Sequence, residues 1–509
     1  MAVVYALLTI GAITTLYPFA VMISTGFKGP TDQNDNKLIP AFWSSTETVE
    51  GKADPSSLYS KYLADKYSGD ASQIASTRAI GPPGEGTAGE YPEWLKKLPV
   101  DYWSAGFRTA PNQVTGRLAT RYQAWLREKY GTIAAVNQAY LEENTAFQAI
   151  PVPAELLERA KWRAPDTRKY REWREFKETL PEEFRIPVRR QRMWQEFLRA
   201  KFENNLDRVP PPVKGSAATF ETLPWREDDV SGVDRLRDEF DASVPARFKT
   251  GFSEDLWKKW ISGRDLPLPI EAYERAHVRT YRGEIAREFS GRNYGYVLDY
   301  VAVHGRALWN TAIFCLLAIL AQLTVNPLAA YALSRFPIRA AGKILLFLLA
   351  TMAFPAEVAM IPSFLLLKDL NLLNTFAALV LPTAASGYMI FLLKGFFDSL
   401  PPELFESGQI DGAKESTMML RIALPLSKPV LGYLALMAFM GAYGAFLYAF
   451  LVAQDQRIWT LMVFIYQLQN SAPKSVMMAA LALAALPTLL VFLCAQRAIM
   501  RGIILPGEK

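Results

Sequence analysis

The chain of 509 residues is half hydrophobic and 21% charged, an average that fits an ordinary soluble protein of two or three domains. That average conceals two populations: residues 28–306 hold 84 of the 106 charged side chains, and the other 230 positions hold only 22, in short clusters. The formal charge of +6 divides into +2 over the charged block and +4 over the rest, so no basic stripe points to DNA or RNA. Cys315 and Cys494 both fall in apolar stretches, which leaves the charged block without a thiol for a disulfide or a zinc cluster. The two histidines, His277 and His304, are too few for a metal site.

The first element, Ala2 to Phe27, is uncharged and long enough to cross a hydrocarbon core about 30 Å thick, which takes roughly 20 apolar residues of helix. It lacks the basic leader and the short apolar run of a signal peptide, so the expectation is a retained helix at 1–28.

The charged block follows, expected as a mainly helical soluble domain over 29–306. Tyr122-x-x-Trp125-Leu126-Arg127-x-Lys129-Tyr130 recurs 72 residues later as Trp194-x-x-Phe197-Leu198-Arg199-x-Lys201-Phe202. Phe147-x-x-Ile150-Pro151 recurs 73 residues later as Phe220-x-x-Leu223-Pro224. This predicts an internal duplication over 121–151 and 193–224, with a looser third copy from Tyr281, Ile285 and Phe289. Apolar positions at i, i+3 and i+4 make each copy begin with an amphipathic helix, with the Phe-x-x-Ile/Leu-Pro piece packed back on it. The aromatics serve as core or as a platform for saccharide rings. Gly81 to Glu90, G-P-P-G-E-G-T-A-G-E, has the composition of a linker between a smaller and a larger fold. Acidic pairs such as Glu142 with Glu143 and Glu182 with Glu183 fit a solvated face; a glycosidase needs two carboxyls at a set spatial separation.

Five more stretches are long enough to span: Ala307 to Ser334, Ile344 to Leu367, Leu370 to Leu393, Pro429 to Gln454 and Ser475 to Gln496. The fold class is therefore an all-α membrane protein, six transmembrane helices with a large soluble domain inserted between helices 1 and 2 and a five-helix core over 307–509. Pro18, Pro327, Pro355, Pro382 and Pro487 are read as kinks rather than span ends. One set of short connections carries ten Lys and Arg and the opposite set three, Lys368, Arg457 and Lys474, so the former is cytoplasmic and 29–306 extracytoplasmic. Glu357 is the ionisable group well inside a span; it lines a cavity, lies near the outer water or pairs with a partner subunit. Asn310, Gln322 and Asn326, together with Tyr443 and Tyr448 on the Gly- and Tyr-rich fifth span, are candidates for a solute path or for helix packing.

Between the fourth and fifth spans lies the loop 401–428. Pro401 and Pro402 suit a helix entry, and Glu403 with Glu406 places acids in the first turn, where the helix dipole favours them. Leu404, Phe405 and Ile410 are expected to supply apolar contacts, Asp411-Gly412 to break the helix, and Pro425 to stop a second short helix through Met418, Met419 and Ile422. A helix-turn-helix too polar for lipid, held between two spans, is either a lever for a cytoplasmic partner or a surface loop.

This loop resembles the E-A-A-x-x-x-G-x(9)-I-x-L-P segment of ATP-binding-cassette importer permeases, with Glu406, Asp411, Gly412, Ala413, Ile422, Leu424 and Pro425 in register. Ser407 and Gly408 stand where two alanines are usual, and Met419 where phenylalanine is common. Further stretches resemble the maltose-type branch: Tyr17 to Lys28, Trp309 to Thr311, Ala329 to Phe336, Met360 to Thr375 and the closing R-G-I-I-L-P-G-E-K. The resemblance covers residues 1–43 and 305–509. It implies the permease subunit of an ATP-driven importer for sugar or oligosaccharide, multi-pass in the bacterial cytoplasmic (inner) membrane. The implied partners are a cytosolic ATPase dimer that binds ATP and Mg, a second permease subunit, and an extracytoplasmic solute-binding protein. The chain has no G-x-x-x-x-G-K-[ST] phosphate loop, so it is expected to hold no cofactor and to be a transport subunit rather than an enzyme. The alternative is a membrane-anchored sugar receptor or ecto-hydrolase with a permease-like body; Arg121 to Ile133 resembles helices of some glycoside hydrolases.

Overall fold

The computed structural model describes residues 1–502 apart from 46–47, 50–51, 55, 79–86, 111–112, 115, 145–146, 160, 226–232, 265, 305 and 354. Contacts divide the chain into two compact units, Lys28–Gly291 and Met1–Phe27 with Arg292–Lys509.

Among the described residues of Lys28–Gly291, strand structure is limited to two short antiparallel pairs, Thr48–Val49 with Lys52–Ala53 and Trp103–Ala105 with Arg185–Pro187. The rest is short helices around two aromatic cores. One gathers Tyr62, Trp94, Tyr122, Trp173 and Trp257; the other gathers Trp194, Leu198, Phe220 and Phe240. The linker expected at Gly81 to Glu90 is overturned in part. Its last four residues open the helix Thr87–Lys97, and residues 81–86 lie outside the described ones. No pair of folds is divided there, because Phe42, Leu58 and Tyr62 share a core with Tyr122 and Trp173. Tyr91 and Trp94 explain why: both rings lie against Trp257, 5.7 and 5.3 Å away, burying area that a linker would leave in water.

The two sequence copies make corresponding contacts, one in each core. The helix Arg117–Tyr130 stacks Tyr122 on Trp125 (6.3 Å, 15°), and Arg190–Lys201 stacks Trp194 on Phe197 (5.8 Å, 17°). Gln123 donates to the Ile150 carbonyl at 3.2 Å, and Gln195 to the Leu223 carbonyl at 2.9 Å. Arg127 lies over Phe147 and Arg199 over Phe220, at 5.2 and 5.5 Å. Of the looser third stretch, Ile285 and Phe289 are buried in the first core, and Tyr281 is exposed.

Several buried charges in this unit are paired, which offsets the cost of desolvation. Lys66 meets Glu274 at 2.5 Å, and Lys177 meets Glu155 at 2.7 Å while also donating to the Trp103 carbonyl. Glu183 accepts from Arg117 at 3.0 Å and lies 3.2 Å from His277 Nε2. Burial pushes the Glu183 carboxyl up, but the His277 hydrogen bond and the Arg117 charge outweigh it and hold it down at about 2.

In the other unit, Ala2–Gly26, Ala307–Arg335 and Lys474–Gln496 are each long and apolar enough to cross a membrane. Two bent pairs, Phe376–Thr383 with Gly387–Asp398 and Glu415–Leu426 with Lys428–Tyr443, bring the number to five if each is one span. The expected stretch Ile344 to Leu367 is instead two helices, Ala341–Thr351 and Ala356–Asp369, with Pro355 at the start of the second. Proline disfavours helical backbone in the residue before it and clashes with the preceding turn. Pro18, Pro327 and Pro487 remain inside continuous helices, whereas Pro355 and Pro382 sit at breaks, so the expectation of mere kinks fails at those two. The stretch Pro429 to Gln454 is likewise interrupted between Lys428–Tyr443 and Leu447–Val452. Asn326, fully buried, secures the break after Pro382: its side chain donates to the Gln322 and Ala384 carbonyls and accepts from the Ser386 amide at 2.8 Å.

Glu183 gives a pH test. Its folded pKa is depressed, so its contribution is present above the ordinary carboxylate range and is lost as pH falls through about 2. Arg117→Gln is expected to lower the apparent melting temperature of the intact, detergent-solubilised chain most near pH 7. The gap from wild type should close between about pH 5 and pH 2. A gap that stays constant with pH would contradict the assigned ion pair.

Candidate functional site: the loop between residues 401 and 428

The loop begins with the helix Glu403–Ile410, entered through Pro401 and Pro402 with Glu403 and Glu406 in its first turn. It ends at Asp411 as expected, and the hydrogen bonds explain how. The Ala413 amide bonds to the Gly408 carbonyl at 2.9 Å, and the Gly412 amide to the Gln409 carbonyl at 3.0 Å. This is the paired closure that satisfies the last carbonyls of a helix, and it requires one residue in the left-handed region. Gly412 supplies it, with φ +75°, where other residues are strained.

The second half departs from the sequence reading. Glu415–Met418 continues into a wide π turn, Met419–Ala423, then Leu424–Leu426, so Pro425 does not stop the helix. A proline ring clashes with the carbonyl four residues earlier, and a wide turn opens the room to admit it. The chain then bends by 82° into Lys428–Tyr443.

Phe405, Gly408, Met418, Met419 and Ala423 face inward, and Ala413, Ile422 and Leu424 are half-buried. Glu406, Asp411, Gly412 and Pro425 are exposed. Leu404 and Ile410, expected to pack, are 39% and 87% exposed. Ile410 is therefore an apolar tip on the exposed surface of the loop, beside the exposed carboxylates of Glu406 and Asp411.

A joint that sequence reasoning missed ties this loop to the long helix Ala307–Arg335. The Tyr331 hydroxyl donates to Glu415 at 2.9 Å. Arg335 lies 3.7 Å from the centre of the Phe405 ring and donates to the Phe397 carbonyl at 2.7 Å. The signal was available: Tyr331 and Arg335 are four residues apart, on one face of the last turns of the helix.

The candidates for a solute path are mostly occupied. Asn310 donates to the Arg457 and Trp459 carbonyls, both at 3.0 Å; Tyr443 donates to Ala484 O and Tyr448 to Ala378 O. Each ties helices to neighbouring backbone. Glu357 lies in the first turn of Ala356–Asp369 and is exposed. In the other unit, Glu142 is held by Lys169 at 2.7 Å, and Glu183 by Arg117. Burial raises the Glu142 carboxyl, but its bonds from Lys169 and Asn144 bring it below the ordinary value, as happens at Glu183. A glycosidase acid needs the opposite shift, towards the protonated form.

Residues 326–505 match the family described as binding-protein-dependent transport system inner membrane component. The chain is 34% identical to the sn-glycerol-3-phosphate transport system permease protein UgpE of Yersinia enterocolitica over 40% of this chain and 74% of that protein. It is 33% identical to protein LplC of Bacillus subtilis over 35% of this chain and 66% of that one. A chain in the crystal structure of a bacterial ABC transporter involved in import of the acidic polysaccharide alginate aligns at 24% identity and a TM-score of 0.36, over 40% of this chain and 78% of that one.

The two glycines of the loop should respond oppositely to alanine. A Cβ at Gly408 would meet Ile422 and Met418 at ordinary contact distances, from 3.4 Å, so Gly408→Ala is expected to be neutral or to stabilise by about 0.5–1 kcal/mol. Gly412→Ala meets no atom but places a side chain at φ +75°, at a cost of about 1–2 kcal/mol. Melting temperatures of the two variants in detergent check the contrast, and equal shifts would refute it.

Proposed function

The chain belongs to the family of binding-protein-dependent transport system inner membrane components, and from that membership we propose that it is a pore-forming subunit of an ATP-driven importer for a sugar or related polyhydroxylated solute. In this reading the loop 401–428 lies in the cytosol and docks on a separate ATPase dimer that binds ATP and Mg. Glu406 and Asp411 meet basic or amide groups there, and Ile410 enters an apolar cleft. Closure of the ATPases moves the loop, and the Tyr331–Glu415 and Arg335–Phe405 contacts carry the motion into Ala307–Arg335. The observation that carries the proposal is this combination: an exposed acidic and apolar tip on a loop bonded at its base to a spanning helix.

The broken pair Ala341–Thr351 and Ala356–Asp369 crosses with the other five segments, giving six spans. The charged block 29–306 is soluble and extracytoplasmic, facing a solute-binding protein. A second permease subunit completes the pathway. The pairing of Glu142 and Glu183 with cations weighs against the receptor or ecto-hydrolase alternative in its hydrolytic form.

Glu406→Lys reverses an exposed charge without touching the interior, and is expected to weaken docking by about 2 kcal/mol or more. Membrane insertion should persist while ATPase co-purification and solute-stimulated hydrolysis fall; Gly412→Asp should act in the same direction. Normal uptake in either variant, or an ATPase that co-purifies unchanged, would remove the coupling role.

A further inference from the structure

The paired stretches of Lys28–Gly291 share a packing scaffold. What recurs in both, the stacked aromatic pair, the Gln-to-carbonyl bond and the Arg over Phe, is the scaffold. Beside the second stretch lies a groove of about 790 Å³, bounded by Phe197, Arg199 and Lys201 and by Glu239 of the helix Asp234–Ser243. The chain between the two stretches adds Arg159 and Lys161 to its wall.

The charges there do not balance. Arg199 bonds to Glu196 at 3.0 Å and to Glu221, and Lys201 is ion-paired with Glu239. Both lining carboxylates, Glu196 and Glu239, are thus engaged by cations of the same helix. Arg159 and Lys161 are exposed and meet no acidic partner among the described residues. Two cations therefore face the groove unmatched. Phe197, half-buried, stacked on Trp194 and with Lys201 Nζ 5.9 Å from its ring centre, adds its remaining aromatic surface to the same wall.

We propose that this groove binds an anionic saccharide, its oxyanion held by Arg159 and Lys161 and its ring set against Phe197. A guanidinium presents parallel donors to a carboxylate or phosphate, and such bonds are about twice as strong as neutral ones. The face of an aromatic ring is electron-rich and accepts the positively polarised C–H groups of a pyranose. The volume falls within the usual range for small-ligand sites. Because the cations are exposed, binding weakens with salt.

The test is calorimetric titration of the intact, detergent-solubilised chain, without ATP or partner subunits, so its outcome is independent of the transport reading. Trigalacturonate is expected to bind, with maltotriose weaker by about tenfold or more. The double substitution Arg159→Gln/Lys161→Gln, both at exposed positions, should weaken trigalacturonate binding by about tenfold and flatten its salt dependence. Phe197→Leu should weaken it several-fold while leaving the salt dependence in place. Glucose 6-phosphate binding in preference to trigalacturonate would retain the site and assign the oxyanion to a phosphate ester. Equal binding of maltotriose, unchanged binding in the double variant with an unchanged melting temperature, or full displacement by equimolar inorganic phosphate would overturn the proposal.

Discussion

At Gly412 the backbone enters the left-handed region, and the course of the loop after it depends on that one conformation. The helix Glu403–Ile410 closes its last carbonyls through the Ala413 and Gly412 amides, which leaves Ile410 at a tip instead of in a core. The chain then returns at Glu415 to meet Tyr331. A lever needs a rigid arm, a fixed bearing and a free end. In the function we propose, these are a closed helix, a buried tyrosine bonded to a carboxylate, and an exposed isoleucine flanked by Glu406 and Asp411.

The spanning helices supply the frame under a different constraint. Lipid offers no hydrogen-bond partner, so each interruption of a helix at membrane depth must be satisfied from within the protein. Asn326 does this at the break after Pro382, and Asn310 does it for the carbonyls of Arg457 and Trp459. Polar residues that a sequence reading offers as solute ligands are in this way already committed to holding irregular backbone.

Much of the loop was legible from local chemistry. Paired prolines, early acids and Asp-Gly have the same meaning in a short helix wherever it is placed, and the turn at Gly412 follows. The exposure of Ile410 was not legible, because an isolated apolar residue signals packing unless the missing partner is known. Nor was the passage of the helix through Pro425, since a π turn leaves no mark in composition. In the spans, length and hydropathy found the segments, but whether a proline kinks or breaks depends on what covers the freed carbonyls. Pro327 and Pro355 look alike in sequence and behave differently. In Lys28–Gly291 the glycine-rich stretch suggested a boundary, whereas Tyr91 and Trp94 just beyond it belong to the same core as Tyr62 and Tyr122.

The central claim, that the tip at Ile410 lies in the cytosol and touches an ATPase, is open to one direct measurement. In a chain with Cys315 and Cys494 replaced by alanine, Ile410→Cys and Leu141→Cys, both highly exposed, are treated in spheroplasts with a membrane-impermeant maleimide, and then with a short bifunctional cross-linker after lysis. The prediction is that Leu141→Cys labels from outside, and that Ile410→Cys is protected until lysis and then cross-links to a co-purifying ATP-binding subunit. Labelling of Ile410→Cys in intact spheroplasts, or no cross-link to an ATP-binding subunit after lysis, would contradict it.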